Sequence, residues 1–163
     1  MTEIENLPIE ETNSLKNELI DKLKVYSKYD NWFSDWVTLM SQMVYKPEPK
    51  LIAIFTKNVI ETNHDISDLF MCRLFHESLE ILEEFMESKD YLLPLRGFYI
   101  QFKGRVGGKA RSGKETYGFG VLKPHRVDSN LKYFYTNYQT KYGTSSIKVW
   151  MSLNNIKKIN GLS

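Results

Sequence analysis

The stretch Leu93-Pro94-Leu95-Arg96-Gly97-Phe98-Tyr99-Ile100-Gln101-Phe102-Lys103-Gly104 separates two kinds of structure. Phe98, Ile100 and Phe102 alternate with Tyr99, Gln101 and Lys103, the period of two that marks a half-buried strand. Upstream the period is that of helices. Residues 1–12 read as a polar tail, after which Asn13 or Ser14 can cap a helix over 15–29 with Leu15, Leu19, Ile20 and Leu23 on one side. A second amphipathic helix covers 32–44. Lys46-Pro47-Glu48-Pro49 stops it, because each proline disfavours helix in the residue before it. Helix resumes over 51–60, with Leu51, Phe55 and Val59 on one face. A long helix follows over 65–89, with Ile66, Leu69, Phe70, Leu74, Leu82, Phe85 and Met86 on its apolar side. Asp68, Glu77, Glu80, Glu83, Glu84 and Glu87 fall on its wet side.

Downstream of the dividing stretch, 104–113 reads as a turn region and 116–121 as a strand pairing back. Gly118 and Gly120 there mark a bulge or a close backbone approach. Residues 131–138 and 147–151 give third and fourth strands. Helices followed by a run of strands predict an α+β fold: helices packed on one face of a roughly four-stranded, mainly antiparallel sheet, preceded by a helical N-terminal extension. The division is an acidic helical extension over residues 1–60 and an α+β RNA-binding domain over 61–163.

Charge divides the chain near the same place. Residues 91–163 hold 13 Lys and Arg against Glu115 and Asp128, a net of +11, while residues 1–90 hold 9 Lys and Arg against 18 Asp and Glu, a net of −9. All 9 glycines lie at or after Gly97. A basic, glycine-rich half points to nucleic acid, since neutralising phosphate needs clustered cations with few competing carboxylates. The densest cluster is Lys103, Arg105, Lys109, Arg111 and Lys114, interleaved with Gly104, Gly107, Gly108 and Gly113. Glycine lets backbone approach a phosphate chain closely. The candidate RNA-binding residues are therefore Lys103, Arg105, Gly107, Gly108, Lys109, Arg111 and Lys114, followed along the basic half by Lys123, Arg126, Lys141 and Lys148.

Other chemistries find no complete site. The single cysteine, Cys72, excludes an internal disulfide framework and a zinc finger. No apolar run approaches the roughly 20 residues of a membrane span. The acidic start MTEIENLPIEE is unlike a secretory signal or a transit peptide, and Met1 argues against a presequence already removed. Gly108 to Gly113-Lys114-Glu115 approaches a phosphate-binding loop, but Glu115 stands where that loop needs a hydroxyl for magnesium. Gly104-Arg105-Val106-Gly107 has the form of a KH clamp, yet it leaves a strand and does not join two helices. His76-Glu77-Ser78-Leu79-Glu80 approaches a zinc-protease helix, but Glu80 replaces the second histidine, so His76 and Glu80 read as a surface pair. His64 and His125 have no Ser or Cys at a recognisable spacing. No catalytic residue, metal, cofactor or small-molecule substrate is expected. Trp32, Trp36 and the run Tyr133-Phe134-Tyr135 read as core packing in preference to base stacking.

Two segments resemble a known family. Gly97 to Arg111, with its strand followed by Gly104-Arg105-Val106-Gly107-Gly108-Lys109-Ala110-Arg111, resembles a segment of small-ribosomal-subunit protein three. Thr140-Lys141-Tyr142-Gly143-Thr144-Ser145-Ser146-Ile147-Lys148-Val149-Trp150 resembles that family's closing strand. The resemblance covers residues 96–151. It implies a carboxy-terminal α+β domain in the head of the small ribosomal subunit, bound to ribosomal RNA and to neighbouring ribosomal proteins. Bacterial members carry a KH domain first. This chain has no glycine before Gly97 to form that domain's loop. Ser146 stands where the family has glycine, so that position must avoid a positive φ or carry strain. Where relatives carry an arginine-rich helix, only Arg73 stands among Met71, Cys72, Leu74 and Phe75, against a messenger-unwinding role.

Abundant Ile, Lys, Asn, Tyr and Phe match AT-rich codons. With the resemblance, they suggest an organelle-encoded protein of the mitochondrial ribosome in the matrix. Residues 15–60 then stand as a docking surface for organelle-specific proteins, with no membrane contact. The alternative is a non-ribosomal RNA-binding regulator built on the same domain.

Overall fold

Alternation along β1 (Leu95–Gly104) decides which side of the sheet is dry. The computed structural model describes residues 9–63, 67–89, 93–108, 111–120 and 131–154. In it, Phe98, Ile100 and Phe102 are fully buried, and so are Ile147, Val149 and Met151 of β4 (Gly143–Leu153). The antiparallel register sets Phe98 opposite Met151, Ile100 opposite Val149 and Phe102 opposite Ile147, so one face of the central pair is entirely apolar. With β2 (Gly113–Gly120) and β3 (Leu131–Thr140) the strands form a four-stranded sheet in the order β2-β1-β4-β3, each neighbouring pair antiparallel. The α+β reading holds. β2 and β3 are consecutive in the chain yet occupy opposite edges.

Four α-helices cover the apolar face or build upon that cover. They are α1 (Ile9–Lys22), α2 (Asp30–Met43), α3 (Pro49–Thr62) and α4 (Asp68–Glu87), with a 3₁₀ segment at Lys24–Tyr29. α3 packs on β3 and β4, and α4 on β2. α1 packs on α2 and α4, and α2 reaches α3. Proline opens α3, where its missing N–H costs nothing. The Ser67 hydroxyl caps α4 by accepting the Phe70 N–H at 3.1 Å.

A run of rings ties the layers together. Trp36 lies 5.6 Å from Phe75, Phe75 lies 6.1 Å from Phe102, and Phe102 lies 6.5 Å from Tyr138, which carries the core from α2 through α4 and β1 to the edge strand β3. Burying rings of this size stabilises the fold by about 1.5–3 kcal/mol each.

Three expectations need correction. α1 begins at Ile9, before Asn13 and Ser14, because Glu10 and Glu11 in its first turn complement the helix dipole. Only part of the aromatic run on β3 is core: Phe134 packs against it, whereas Tyr133 and Tyr135 are about half exposed on the opposite side. Trp32 and Trp36 are buried, as read. Finally, the apolar residues of α1 and α2 that were to dock neighbouring proteins are largely spent inside the chain, with Leu15, Leu19, Trp36 and Met40 fully buried. Among the described residues of these helices and the 3₁₀ segment, Ile20, Val25 and Leu51 are the large apolar ones left exposed.

Candidate nucleic-acid interface

β1 runs into the glycine-rich turn, and Val106 pins that turn by burying its side chain in the core. Val106–Gly108 form a short 3₁₀ turn closed by the Gly108 N–H donating to the Arg105 carbonyl at 3.0 Å. Gly108 has φ +76°, and a Cβ there would overlap the Tyr142 ring. Glycine is thus required twice, for backbone conformation and for space. Tyr142 belongs to the β3–β4 turn, so the two turns meet at one end of the sheet. The Arg105 guanidinium lies 5.7 Å from the Tyr142 ring centre and Lys141 Nζ 5.4 Å from it. Both cations are held near the ring's negative face at cation–π range. Lys141, far away in sequence, therefore shares one site with Arg105, Gly107 and Gly108.

Asp68 fixes the turn from behind. It was assigned to the wet face of its helix, and the structure overturns this: it is 5% exposed. Its carboxylate accepts the Gly107 N–H at 2.8 Å and the Tyr138 hydroxyl at 2.9 Å. A first-turn carboxylate on α4 gains from the helix dipole, and each of its oxygens accepts a hydrogen bond, one from the turn and one from the sheet. Burial and the neighbouring carboxylate push the Tyr138 phenol up, so it stays a donor. A cleft beside the turn, of about 780 Å³, is lined by Glu61, Asp68, Gln139, Lys141 and Tyr142 among others. Its two carboxylates are both engaged, with Glu61 accepting the Gln139 N–H at 2.8 Å, and they make it a poor phosphate pocket.

Lys103, Lys114 and Lys148 belong to the sheet face that turns away from the helices. Lys103 stands directly opposite Lys114 on β2, and Lys148 lies between Gln101 on β1 and Tyr135 on β3. Like charges directly opposite in a sheet are unfavourable, a cost that a bound phosphate relieves. The same face carries Tyr99, Tyr133, Tyr135 and Trp150. Tyr99 lies across Gly118, where any Cβ would collide with the ring. This is the close approach the sequence suggested at Gly118, and the β1–β2 register runs there without a bulge.

Arg111 is exposed at the end of the turn. Lys109, Lys123 and Arg126 lie outside the described residues. Gly113, Lys114 and Glu115 sit in β2, so no helix follows them as a phosphate-binding loop requires. His76 and Glu80 form the surface pair expected, 3.8 Å apart. Among the described residues, no three His, Cys, Asp or Glu side chains gather as a metal would need, and no helix is long and apolar enough to cross a membrane. Ser146 lies within β4, and no described residue other than glycine has a positive φ, so its replacement of glycine carries no such strain. Arg73 is exposed while Met71, Cys72, Leu74 and Phe75 are fully buried, so that helix face is core.

The sequence could not show that Tyr142 and Asp68 organise the turn. Asp68 carried a signal all the same, since an aspartate just after a capping serine marks a helix start.

Part of this chain is similar to small ribosomal subunit protein uS3. It is 35% identical over 63 residues to uS3 of Aquifex pyrophilus, covering 39% of this chain and 27% of that protein. It is 34% identical over 56 residues to uS3 of Aquifex aeolicus, covering 34% and 26%. With uS3 of Wolbachia pipientis it shares 33% identity over 60 residues, covering 37% and 29%. The matched stretches span little more than a quarter of the length of these relatives. No family model matches the chain.

Proposed function

We propose that the chain is a structural constituent of a small ribosomal subunit, seated in its head and bound to ribosomal RNA, with no catalytic role. The observation that carries this reading is the similarity to uS3 proteins of separate bacteria, each at 33–35% identity. The basic turn supports it: Arg105 and Lys141 flank one ring beside the closely packed Gly108, with Lys103 and Lys114 close behind. Contacts of this kind go to phosphate and set affinity and orientation more than sequence choice. The partners are small-subunit ribosomal RNA and neighbouring proteins of the head. Residues 15–60 face protein or solvent, since the net charge of −9 over residues 1–90 repels phosphate.

We place the protein in mitochondrial ribosomes, on the codon-biased composition together with the similarity. Sedimentation of mitochondrial extracts tests both parts. The chain is expected in stoichiometric amount in small-subunit particles and to remain there after a moderate salt wash. Recovery only in light fractions would favour a free RNA-binding regulator, and recovery from another compartment's ribosomes would overturn the placement.

A further inference from the structure

The helices occupy one face of the sheet, and no described element packs on the other. That face combines rings with cations. Tyr133 and Tyr135 are 49% and 47% exposed, and Trp150 lies 5.5 Å from Tyr133 at a tilt of 36°. Lys148 Nζ is 5.9 Å from the Tyr135 ring centre, and Lys103 and Lys114 stand across from each other on the neighbouring strands. Every described carboxylate on the strands lies elsewhere: Glu115, the one acidic residue of β2, alternates with Lys114 and points to the helix side. Half-exposed aromatics are costly to leave in water and are uncommon as a group on a surface without a partner.

The spacing says which partner. Tyr133 and Tyr135 are two residues apart on one strand, about 6.8 Å at 3.4 Å per residue. That is twice the roughly 3.4 Å rise per base of a duplex strand. Neighbouring rings therefore match the bases of a stretched single strand, not a helical stack. Amide groups stand beside the rings, with Gln101 hydrogen-bonded to Thr116 and the Asn137 carbonyl accepting from the Tyr135 hydroxyl at 2.8 Å.

We propose that this face binds an unpaired segment of small-subunit ribosomal RNA, with Tyr133, Tyr135 and Trp150 stacking on bases and Lys148, Lys103 and Lys114 following the backbone. The charge complementarity and the ring spacing select single-stranded RNA over a protein. The proposal rests on the RNA-binding reading above but centres on other residues, the rings of Tyr133, Tyr135 and Trp150 with Lys148; it shares only Lys103 and Lys114 with the basic turn, whose Arg105–Tyr142–Lys141 site lies at the end of the sheet.

The test compares a fluorescent decauridylate with a short RNA duplex, using the full chain. Tyr133→Ala together with Tyr135→Ala is expected to weaken decauridylate binding about 30-fold or more, given the usual worth of base–aromatic stacking, while duplex binding changes less than about two-fold. Tyr133→Phe with Tyr135→Phe keeps decauridylate binding, because the ring and not the hydroxyl does the stacking. Decauridylate should also quench tryptophan emission, and Trp150→Phe should abolish that quenching, since Trp32 and Trp36 are buried. An alanine double variant that melts like the parent and binds decauridylate equally well overturns the proposal, as does equal loss on both RNAs. In assembled particles, a photoreactive phenylalanine at position 135 is expected to crosslink to ribosomal RNA. Crosslinking to protein or to messenger overturns the assignment. If the chain proves not to be ribosomal, the oligonucleotide arm still reads the face by itself, so the two ideas fail separately.

Discussion

The Gly107 N–H donates to the Asp68 carboxylate at 2.8 Å, joining the glycine-rich turn to the first turn of α4 across 39 residues of sequence. The other oxygen of Asp68 accepts from Tyr138 on β3, so one buried carboxylate ties a turn, a helix start and an edge strand. Hydrogen bonds to a charged group stabilise by more than neutral ones, and an orphaned buried hydroxyl costs its desolvation. Asp68→Ala is therefore expected to lower stability by about 2–3 kcal/mol in urea denaturation. Asp68→Asn, which keeps an acceptor, should cost less. Both should weaken binding to structured RNA, through displacement of the turn. A variant as stable as the parent would show that Asp68 does not hold the turn.

Gly108 and Gly113 bound the same basic turn but face opposite constraints. Gly108 has φ +76° and the Tyr142 ring in place of a Cβ, whereas a Cβ on Gly113 meets nothing within 4 Å. Gly108→Ala should cost at least about 1–2 kcal/mol from the left-handed conformation alone. Gly113→Ala should stay within about 0.5 kcal/mol of the parent. Thermal melting of the two variants side by side checks this. Equal effects would mean that the close packing of Tyr142 on the turn is not maintained in solution.

What the sequence disclosed and what it hid follow one physical rule. Periodicity is local, so Phe98-Tyr99-Ile100-Gln101-Phe102 announced a strand, and the proline pair at Pro47 and Pro49 fixed the break between α2 and α3. The sheet order is not local, and nothing in β2 or β3 says that they take opposite edges. Alternation divides strand residues into two faces without saying which of them the helices cover. Tyr133 and Tyr135 therefore read as core when they belong to the open side. Asp68 misled for a different reason: its charge grouped it with the exposed Glu77 and Glu84, whereas the helical period of about 3.6 residues sets it on the opposite, buried side with Cys72 and Phe75, where Gly107 and Tyr138 meet it. The cations were legible as a composition. Their grouping around Tyr142 needed the β3–β4 turn to be placed beside the β1–β2 turn.

The ring chain from Trp36 through Phe75 and Phe102 to Tyr138 makes the helical half and the sheet share one core. Trp36→Ala is expected to destabilise by about 3–5 kcal/mol. Because the cavity lies in that shared core, far-ultraviolet signals of helix and sheet should be lost in a single transition. Early loss of helix with the sheet intact would show that α1 and α2 fold apart from the rest.

Alkali should unfold the protein through its tyrosines. Burial, with the Glu77 carboxylate accepting its hydroxyl at 2.6 Å, pushes Tyr26 up from 10.0 to about 12. Burial also raises Tyr45, Tyr117 and Tyr138. The folded state thus holds these protons more tightly than the unfolded chain. The stabilisation is complete below about pH 10 and is lost as pH rises through the folded values. Denaturant midpoints should be flat on this account up to about pH 10 and then fall. Tyr26→Phe should make that fall shallower. A midpoint that holds to pH 12 would contradict the burial of these phenols.

The meeting of Arg105 and Lys141 at the Tyr142 ring makes a specific demand on RNA binding. Each phosphate contact releases counterions, so log affinity falls with log salt by about 0.7–0.9 per contact. If about four cations of the turn and the neighbouring strands touch phosphate, the slope for a structured RNA fragment is on the order of −3 to −4. Arg105→Gln with Lys141→Gln removes two of them and should flatten the slope by up to about two units. Binding to unrelated RNAs should weaken nearly as much, because phosphate contacts carry no sequence information. Both side chains are exposed, so melting should change little. Lys103→Gln with Lys114→Gln tests the neighbouring pair by the same measure. It has a second signature, because relieving two like charges across the strands should leave the protein as stable or slightly more so. A folded Arg105 and Lys141 double variant with an unchanged salt slope would show that the ring-held cations do not meet phosphate, and would move the RNA contact to the lysines of the open sheet face.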